Sequence, residues 1–241
     1  SGSAIRLTNP TTILRADYIR ITSPLVANNL IIYGDGSTLT LAENVTAASV
    51  LIEDSVFVSG SRAATVAADF TLRGTLDGVS ASDAFTLAAG GDVTVTGAVG
   101  AAQALRDLTV RAGGDVRFEG DVHVAGDLVI ESAASVTFAG RLTVGGRLII
   151  RDAGAVAFSG PVTVAREALL GTASAPLAAV TFAGSVAVAD LAAYAASLHV
   201  AGDLAAAHVQ VRVATRLTLA GAANTAATAR LVVTGSTGLL T

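Results

Sequence analysis

The sequence contains no cysteine, which excludes disulfide bonds and cysteine-ligated zinc sites. Lysine, methionine and tryptophan are also absent, so all 15 basic residues are arginine. Only 14% of the residues are charged, and the net charge is −4. Nucleic-acid binding needs a clustered basic patch, and this sparse, slightly acidic pattern argues against it. We therefore expect no nucleic-acid partner.

Long apolar runs are missing, although 52% of the residues are hydrophobic. Short groups of Ala, Val and Leu are broken every few residues by Gly, Asp, Thr or Arg. No run approaches the roughly 18 apolar residues that a membrane-spanning helix needs. The sequence therefore predicts no membrane insertion. Residues 1–3 are typical of a scar left by tag removal, and the lack of an initiating Met indicates a piece of a longer protein.

A gap-free repeat of about 20 residues occupies the middle of the chain. Its three copies read LTVRAGGDVRFEGDVHVAGD, LVIESAASVTFAGRLTVGGR and LIIRDAGAVAFSGPVTVARE. Each copy contains three short apolar–variable–apolar units, which we call the first, second and third unit. This alternation is the pattern of a strand with one buried face. Turns rich in Gly, Asp, Ala and Ser separate the units.

Such short strands do not suit a meander or a sandwich, whose strands are longer. They suit a coil in which each strand stacks on its equivalent in the next turn, with Phe118, Phe138 and Phe158 in one internal column. The sequence therefore predicts an all-β fold, a right-handed parallel β-helix with about 20-residue, three-strand rungs. Weaker copies of the units lie on both sides. We expect residues 4–241 to form one β-helix domain with a regular core at residues 108–164.

The repeat is interrupted in a few places. Val180-Thr-Phe182 comes after a longer step and is predicted to continue the Phe column. The extra residues fall in turns at 98–106 and 169–179. The Ala-rich stretch Val186 to Leu198 also fits helical spacing, but a rung with a narrowed interior is the favoured interpretation.

The repeated units Leu-x-Val/Ile, Val-x-Phe-x-Gly and Val/Leu-x-Val, with their Gly-Asp turns, resemble those of filamentous-haemagglutinin-like bacterial adhesins and large exoproteins. Members of that family are secreted or surface-anchored, and their shafts are right-handed β-helices. The resemblance covers residues 108–164 well and about 5–235 loosely. It implies a structural or adhesive shaft, extracellular or at the bacterial cell surface, with an unidentified host or matrix ligand. No binding residue carries over.

Two other functions remain open from the sequence. One is a self-assembling scaffold, like the β-helical bactofilins that polymerise end to end. The other is a carbohydrate-active enzyme, since glycoside hydrolysis needs two nearby carboxylates. Glu119 and Asp121 flank one turn, and Asp152 lies near an equivalent turn. With no Lys or Trp to support a sugar site, we predict no catalysis.

Metal and cofactor sites are not expected. Convergence of His123, His199 and His208 on one ion is unfavourable at their spacing along a coil. The five Gly-Asp dipeptides between residues 91 and 203 lack the Gly-Gly-x-Gly-x-Asp pattern of calcium-binding β-rolls. They are explained by turn chemistry, in which Gly tolerates positive φ and Asp accepts hydrogen bonds from turn amides.

Unbroken apolar triplets are the strongest indication of a partner surface, because a solvated strand face should not collect aliphatic side chains. The middle residue of each triplet is expected to face outward. These middle residues form a hypothetical lateral-packing stripe for self-association or for another segment of the parent protein: Ile31, Leu51, Val129, Ile149 and Val232.

Overall fold

The computed structural model describes residues 4–33, 38–234 and 239–240. Its regular structure is entirely β-strand. The first twelve strands are β1 (Ile5–Arg15), β2 (Tyr18–Ile21), β3 (Leu25–Tyr33), β4 (Thr38–Leu41), β5 (Val45–Ile52), β6 (Ser55–Val58), β7 (Ser61–Val66), β8 (Phe70–Leu72), β9 (Leu76–Gly78), β10 (Ala84–Ala89), β11 (Val93–Val95) and β12 (Asp107–Ala112). The remaining twelve are β13 (Val116–Phe118), β14 (Val122–Val124), β15 (Leu128–Phe138), β16 (Leu142–Val144), β17 (Leu148–Ile150), β18 (Ala153–Phe158), β19 (Val162–Leu170), β20 (Leu177–Phe182), β21 (Val186–Val200), β22 (Leu204–Leu219), β23 (Thr225–Val233) and β24 (Leu239–Leu240).

The strands stack into one parallel coil. Each strand pairs in parallel with its equivalents about one turn before and after it. One column of paired residues follows the first unit through eleven turns: Ile5, Leu25, Val45, Ala64, Leu87, Val110, Ile130, Ile150, Leu170, Ala193, Val211 and Leu231. The turns are about 20 residues long, so the predicted parallel β-helix is confirmed. Right-handed winding stays a prediction.

The core is the interior of the coil, because alternate residues of every short strand point inward. Its centre is a stack of four parallel rings, Phe118, Phe138, Phe158 and Phe182, each 1% exposed. Successive ring centroids lie 5.1, 5.3 and 4.6 Å apart, with interplanar angles of 3–6°. The predicted Phe column is therefore confirmed, including its continuation to Phe182.

The Ala-rich stretch Val186 to Leu198 is a strand and not a helix, as the favoured interpretation of the sequence predicted. It lies within β21, where Ala193 and Ala195 are buried and pair with the rungs before and after. Small side chains fill the interior there, because Ala193 occupies the column position that Leu170 holds one turn earlier. Period-two burial, rather than helical spacing, governs this segment.

A column of glycines runs along the turn that follows each second unit: Gly74, Gly97, Gly120, Gly140, Gly160, Gly184, Gly202 and Gly221. From Gly97 onward, a Cβ on any of them would lie within 2.3–2.7 Å of the preceding glycine's backbone. The turns stack so closely that only glycine fits. Positive φ is not the reason, since among the described residues only Gly60, Gly100 and Gly171 have it. Our expectation of positive φ at the Gly-Asp turns was wrong.

Two longer turns interrupt the coil, as predicted. The longer turn at residues 100–104 is held in place by hydrogen bonds to Asp77, which is 1% exposed. Its Oδ1 accepts hydrogen bonds from the backbone N–H of Ala102 and Gln103 at 2.8 and 3.4 Å, and its Oδ2 accepts one from the Thr75 hydroxyl at 2.7 Å. The second excursion, residues 171–176, begins at Gly171 with φ of 72°.

Candidate functional site

The five residues of the hypothetical stripe lie in three separate columns. Ile31 pairs with Leu51, and that column continues through Thr71 along the second-unit strands. Val129 pairs with Ile149 along the first-unit strands instead. Val232 stands near the last described turn, beside Arg212. The structure thus brings together two pairs and leaves Val232 apart, so the five residues do not form one continuous stripe.

The pair Val129 and Ile149 is extended by Leu169, which sits next to Ile149 on β19. Ile149 is only 6% exposed, and its two neighbours are half-buried. Thr109 and Ala192 end the apolar patch on either side. Three aliphatic side chains make a small patch, and isolated exposed aliphatics are common on soluble proteins. Lateral packing through it stays a prediction.

Aspartates in the turns form hydrogen-bonded ladders between rungs. Asp69 Oδ1 accepts from the N–H of Asp92 at 2.9 Å, and Asp92 Oδ1 accepts from the N–H of Asp115 at 2.8 Å. Asp115 Oδ1 in turn accepts from the Ser135 hydroxyl at 2.8 Å. Each carboxylate thus satisfies a turn group of the following rung. The prediction that the Gly-Asp aspartates accept hydrogen bonds from turn amides is confirmed for Asp92, Asp121, Asp127 and Asp203, whereas Asp115 accepts from a hydroxyl.

A second ladder ends in an ion pair. Asp107 Oδ1 accepts from the N–H of Asp127 at 3.0 Å, and Asp127 Oδ1 accepts from the N–H of Arg147 at 2.8 Å. The Arg147 guanidinium also donates to Asp127 Oδ2 at 2.8 Å. This side-chain hydrogen bond holds the pKa of the Asp127 carboxyl below its usual 3.8.

The lowered pKa of Asp127 predicts a contribution to acid stability. A carboxyl with a depressed pKa in the folded state stabilises the fold above its unfolded pKa of about 3.8, and this is lost as pH falls through the folded pKa. We expect Asp127→Asn to reduce the drop in thermal unfolding midpoint between about pH 5 and pH 2. Calorimetry across this range measures it. Asp152→Asn, which removes an exposed turn carboxyl, is the control and should leave the drop unchanged. Equal pH profiles for Asp127→Asn and the unsubstituted protein would contradict the assignment.

Of the three carboxylates considered for sugar hydrolysis, Asp152 is exposed in its turn, and the other two make side-chain contacts. Glu119 forms an ion pair with Arg117 at 2.8 Å. Asp121 Oδ1 accepts from the backbone N–H of Arg141 at 2.8 Å, beside an open groove of about 330 Å³ that also contains His123. The absence of catalysis stays a prediction.

The three histidines lie on the outer surface. His123 and His199 are exposed at the middle position of their apolar–variable–apolar units, as the alternation predicts. His208 Nδ1 lies 2.6 Å from Asp190 Oδ1 on the neighbouring strand. Among the residues that the structure describes, no group of three or more His, Asp or Glu side chains is placed to hold a metal ion.

A polar face near the end of the described coil was not anticipated from the sequence. It is built from outward residues of β21, β22 and β23, in which Tyr194 pairs with Arg212 while Gln210 pairs with Arg230. Gln210 Nε2 donates to the Tyr194 hydroxyl at 2.7 Å. We call Tyr194, Gln210, Arg212 and Arg230 the Tyr/Arg face. Its members come from turns of unequal length, so sequence spacing gave no signal.

Comparisons with known proteins return no match to any family model, curated protein or solved structure. Within residues 4–33, 38–234 and 239–240, no helix is long and apolar enough to cross a membrane.

Proposed function

We propose that this chain is a structural or adhesive shaft segment of a bacterial cell-surface or secreted protein, without catalysis of its own. The observation that supports this best is the uninterrupted core, in which the same inward columns run through about eleven turns. Each turn rests only on its neighbours, so the coil extends in one direction. At roughly 4.8 Å per turn, the described part would be about 50 Å long.

Location on the outside of the cell is the most direct test. An antibody raised against this chain should label intact source cells, or the medium around them, without permeabilisation. Labelling that appears only after permeabilisation would contradict a surface or secreted shaft. An antibody against a cytosolic protein of the same cells provides the control for intact envelopes.

The resistance of the isolated chain to proteolysis is a second test of the proposed stiff shaft. Most of the chain's 15 arginines offer trypsin cleavage sites on backbone that is hydrogen-bonded to the neighbouring rungs. We expect trypsin to trim the ends and to leave a resistant core containing residues 62–216, because proteolysis requires local opening. Mass spectrometry of the digest identifies the cut sites. Rapid cleavage at Arg117 or Arg147, in the regular core, would contradict a stiff shaft.

A self-assembling scaffold is the second candidate, because parallel strand pairing joins each described rung to the next, and the same pairing could join two chains. Unpaired strand edges can template pairing with another chain. Sedimentation velocity over a concentration series separates the candidates. A single slow species at all concentrations supports the shaft, whereas filaments that grow with concentration support the scaffold.

A further inference from the structure

The Tyr/Arg face carries two exposed guanidinium groups, Arg212 and Arg230. Arg212 and Arg230 lie on adjacent strands, and neither makes an ion pair or a side-chain hydrogen bond with any residue that the structure describes. The nearest acid along these strands, Asp190, is already engaged by His208 at 2.6 Å. The Nε of Arg216 donates a hydrogen bond to the Thr218 hydroxyl. Elsewhere in the coil, Arg73, Arg106, Arg117 and Arg147 each contact a carboxylate, while Arg6, Arg111 and Arg151 form no ion pair among the described residues. The Tyr/Arg face differs from these single arginines in placing two of them on adjacent strands beside Tyr194. This face therefore presents uncompensated positive charge on a chain whose net charge is −4.

An aromatic ring stands beside these cations. Tyr194 is half-buried, and the hydrogen bond from Gln210 to its hydroxyl holds the ring in place. Tyr194 and Arg212 line an open groove of about 190 Å³, whose other wall is the excursion carrying Thr172 and Pro176. Thr234 adds a further hydroxyl to the lining. The groove thus combines a flat apolar ring, a fork of N–H donors and hydroxyl groups.

We propose that this groove binds one acidic sugar unit of a polysaccharide. A guanidinium can donate two parallel hydrogen bonds to a carboxylate or sulfate, while the ring offers an apolar platform to the carbon face of a sugar. The groove is smaller than pockets that enclose drug-sized ligands, and it is open to solvent, which suits one unit of a longer sugar chain. A nucleic acid would need more phosphate contacts than these two arginines supply.

Titration calorimetry with two probes tests the site: an oligogalacturonate and a sulfated heparin oligosaccharide, each compared with a neutral galacto-oligosaccharide. We expect at least one acidic probe to bind and the neutral one not to bind. Arg212→Gln should weaken binding about tenfold or more, since a charged hydrogen-bond donor is lost. Tyr194→Ala should weaken it too, and Tyr194→Phe, which keeps the ring, should weaken it less. Raising the salt concentration should reduce the affinity.

The control is Arg6→Gln, which removes an exposed arginine from the other end of the coil. It should leave binding unchanged. Because Arg212 is exposed and unpartnered, Arg212→Gln should also keep the unfolding midpoint of the unsubstituted protein, which separates loss of binding from loss of fold. Failure of both acidic probes to bind, equal binding of the neutral sugar, or equal loss in Arg6→Gln would overturn the proposal. So would equally tight binding of polyglutamate or single-stranded DNA. None of these outcomes bears on the shaft role, which rests on location and stiffness.

Discussion

Phe138→Ala is expected to lower the free energy of unfolding by about 4 kcal/mol, as for other buried phenylalanines that lose their ring. Phe138 is 1% exposed and occupies the middle of the regular core. Its ring stacks on Phe118 at 5.1 Å and on Phe158 at 5.3 Å, nearly parallel to both. The substitution removes buried apolar surface and leaves a cavity, and it also breaks two ring contacts at once.

The neighbouring rungs cannot close that cavity easily. The backbone of β15 is paired on both sides, with β13 and with β18, so the strand is held at the spacing of the stack. Collapse of the cavity would strain two turns of the coil. The loss should therefore not fall below the usual range for Phe→Ala, whereas Phe138→Leu, which keeps most of the volume, should cost clearly less.

Urea unfolding followed by circular dichroism measures this loss. Thr137→Ala is the matched control, because Thr137 is on the same strand but faces outward and should change stability by less than about 0.5 kcal/mol. A loss below about 1 kcal/mol for Phe138→Ala would show that the interior refills and that the ring stack contributes little. A change in the slope with urea would instead indicate that the coil no longer unfolds as one unit.

The Phe stack also shows how far the sequence predicts the fold. The unit Val-x-Phe-x-Gly recurs with alternating burial, and parallel stacking of equivalent positions follows from that recurrence. Phe182 could be assigned to the column despite a 24-residue step, since the extra residues fall in a turn and leave the unit intact. Insertions in the turns leave the alternating pattern of each unit intact. The weak copies of the units therefore predict rungs outside residues 108–164.

The outer surface was predicted less well, for a physical reason. An apolar triplet shows that its middle residue faces outward, but it does not show which corner of the coil the strand belongs to. Ile31 and Val129 have the same local pattern and lie in different columns. Where turns differ in length, the alignment of a strand with the strands of the next rung depends on the pairing of all neighbouring rungs and not on the local sequence. The Tyr/Arg face depends on the same information, since Tyr194 meets Arg212 only through the 18-residue step between β21 and β22.

The glycine column gives the second large effect. Gly160→Ala is expected to lower the free energy of unfolding by about 2–3 kcal/mol, because the added Cβ would lie 2.4 Å from Gly140 O and 2.6 Å from Gly140 C. Both are backbone atoms of the preceding turn, so no side chain can rotate away and the rungs must move apart.

Ser159→Ala tests whether the loss comes from this close approach. Ser159 is the exposed neighbour of Gly160 in the same turn, so a methyl side chain there meets open solvent and should change stability by less than about 0.5 kcal/mol. Urea unfolding of the two variants measures the difference. Gly140→Ala should repeat the loss, since its Cβ would lie 2.6 Å from Gly120 O. Near-equal stabilities of Gly160→Ala and Ser159→Ala would mean that the rungs can move apart at the turns at little cost. The glycine column would then reflect the conformational preference of the turns and not the close packing of one rung on the next.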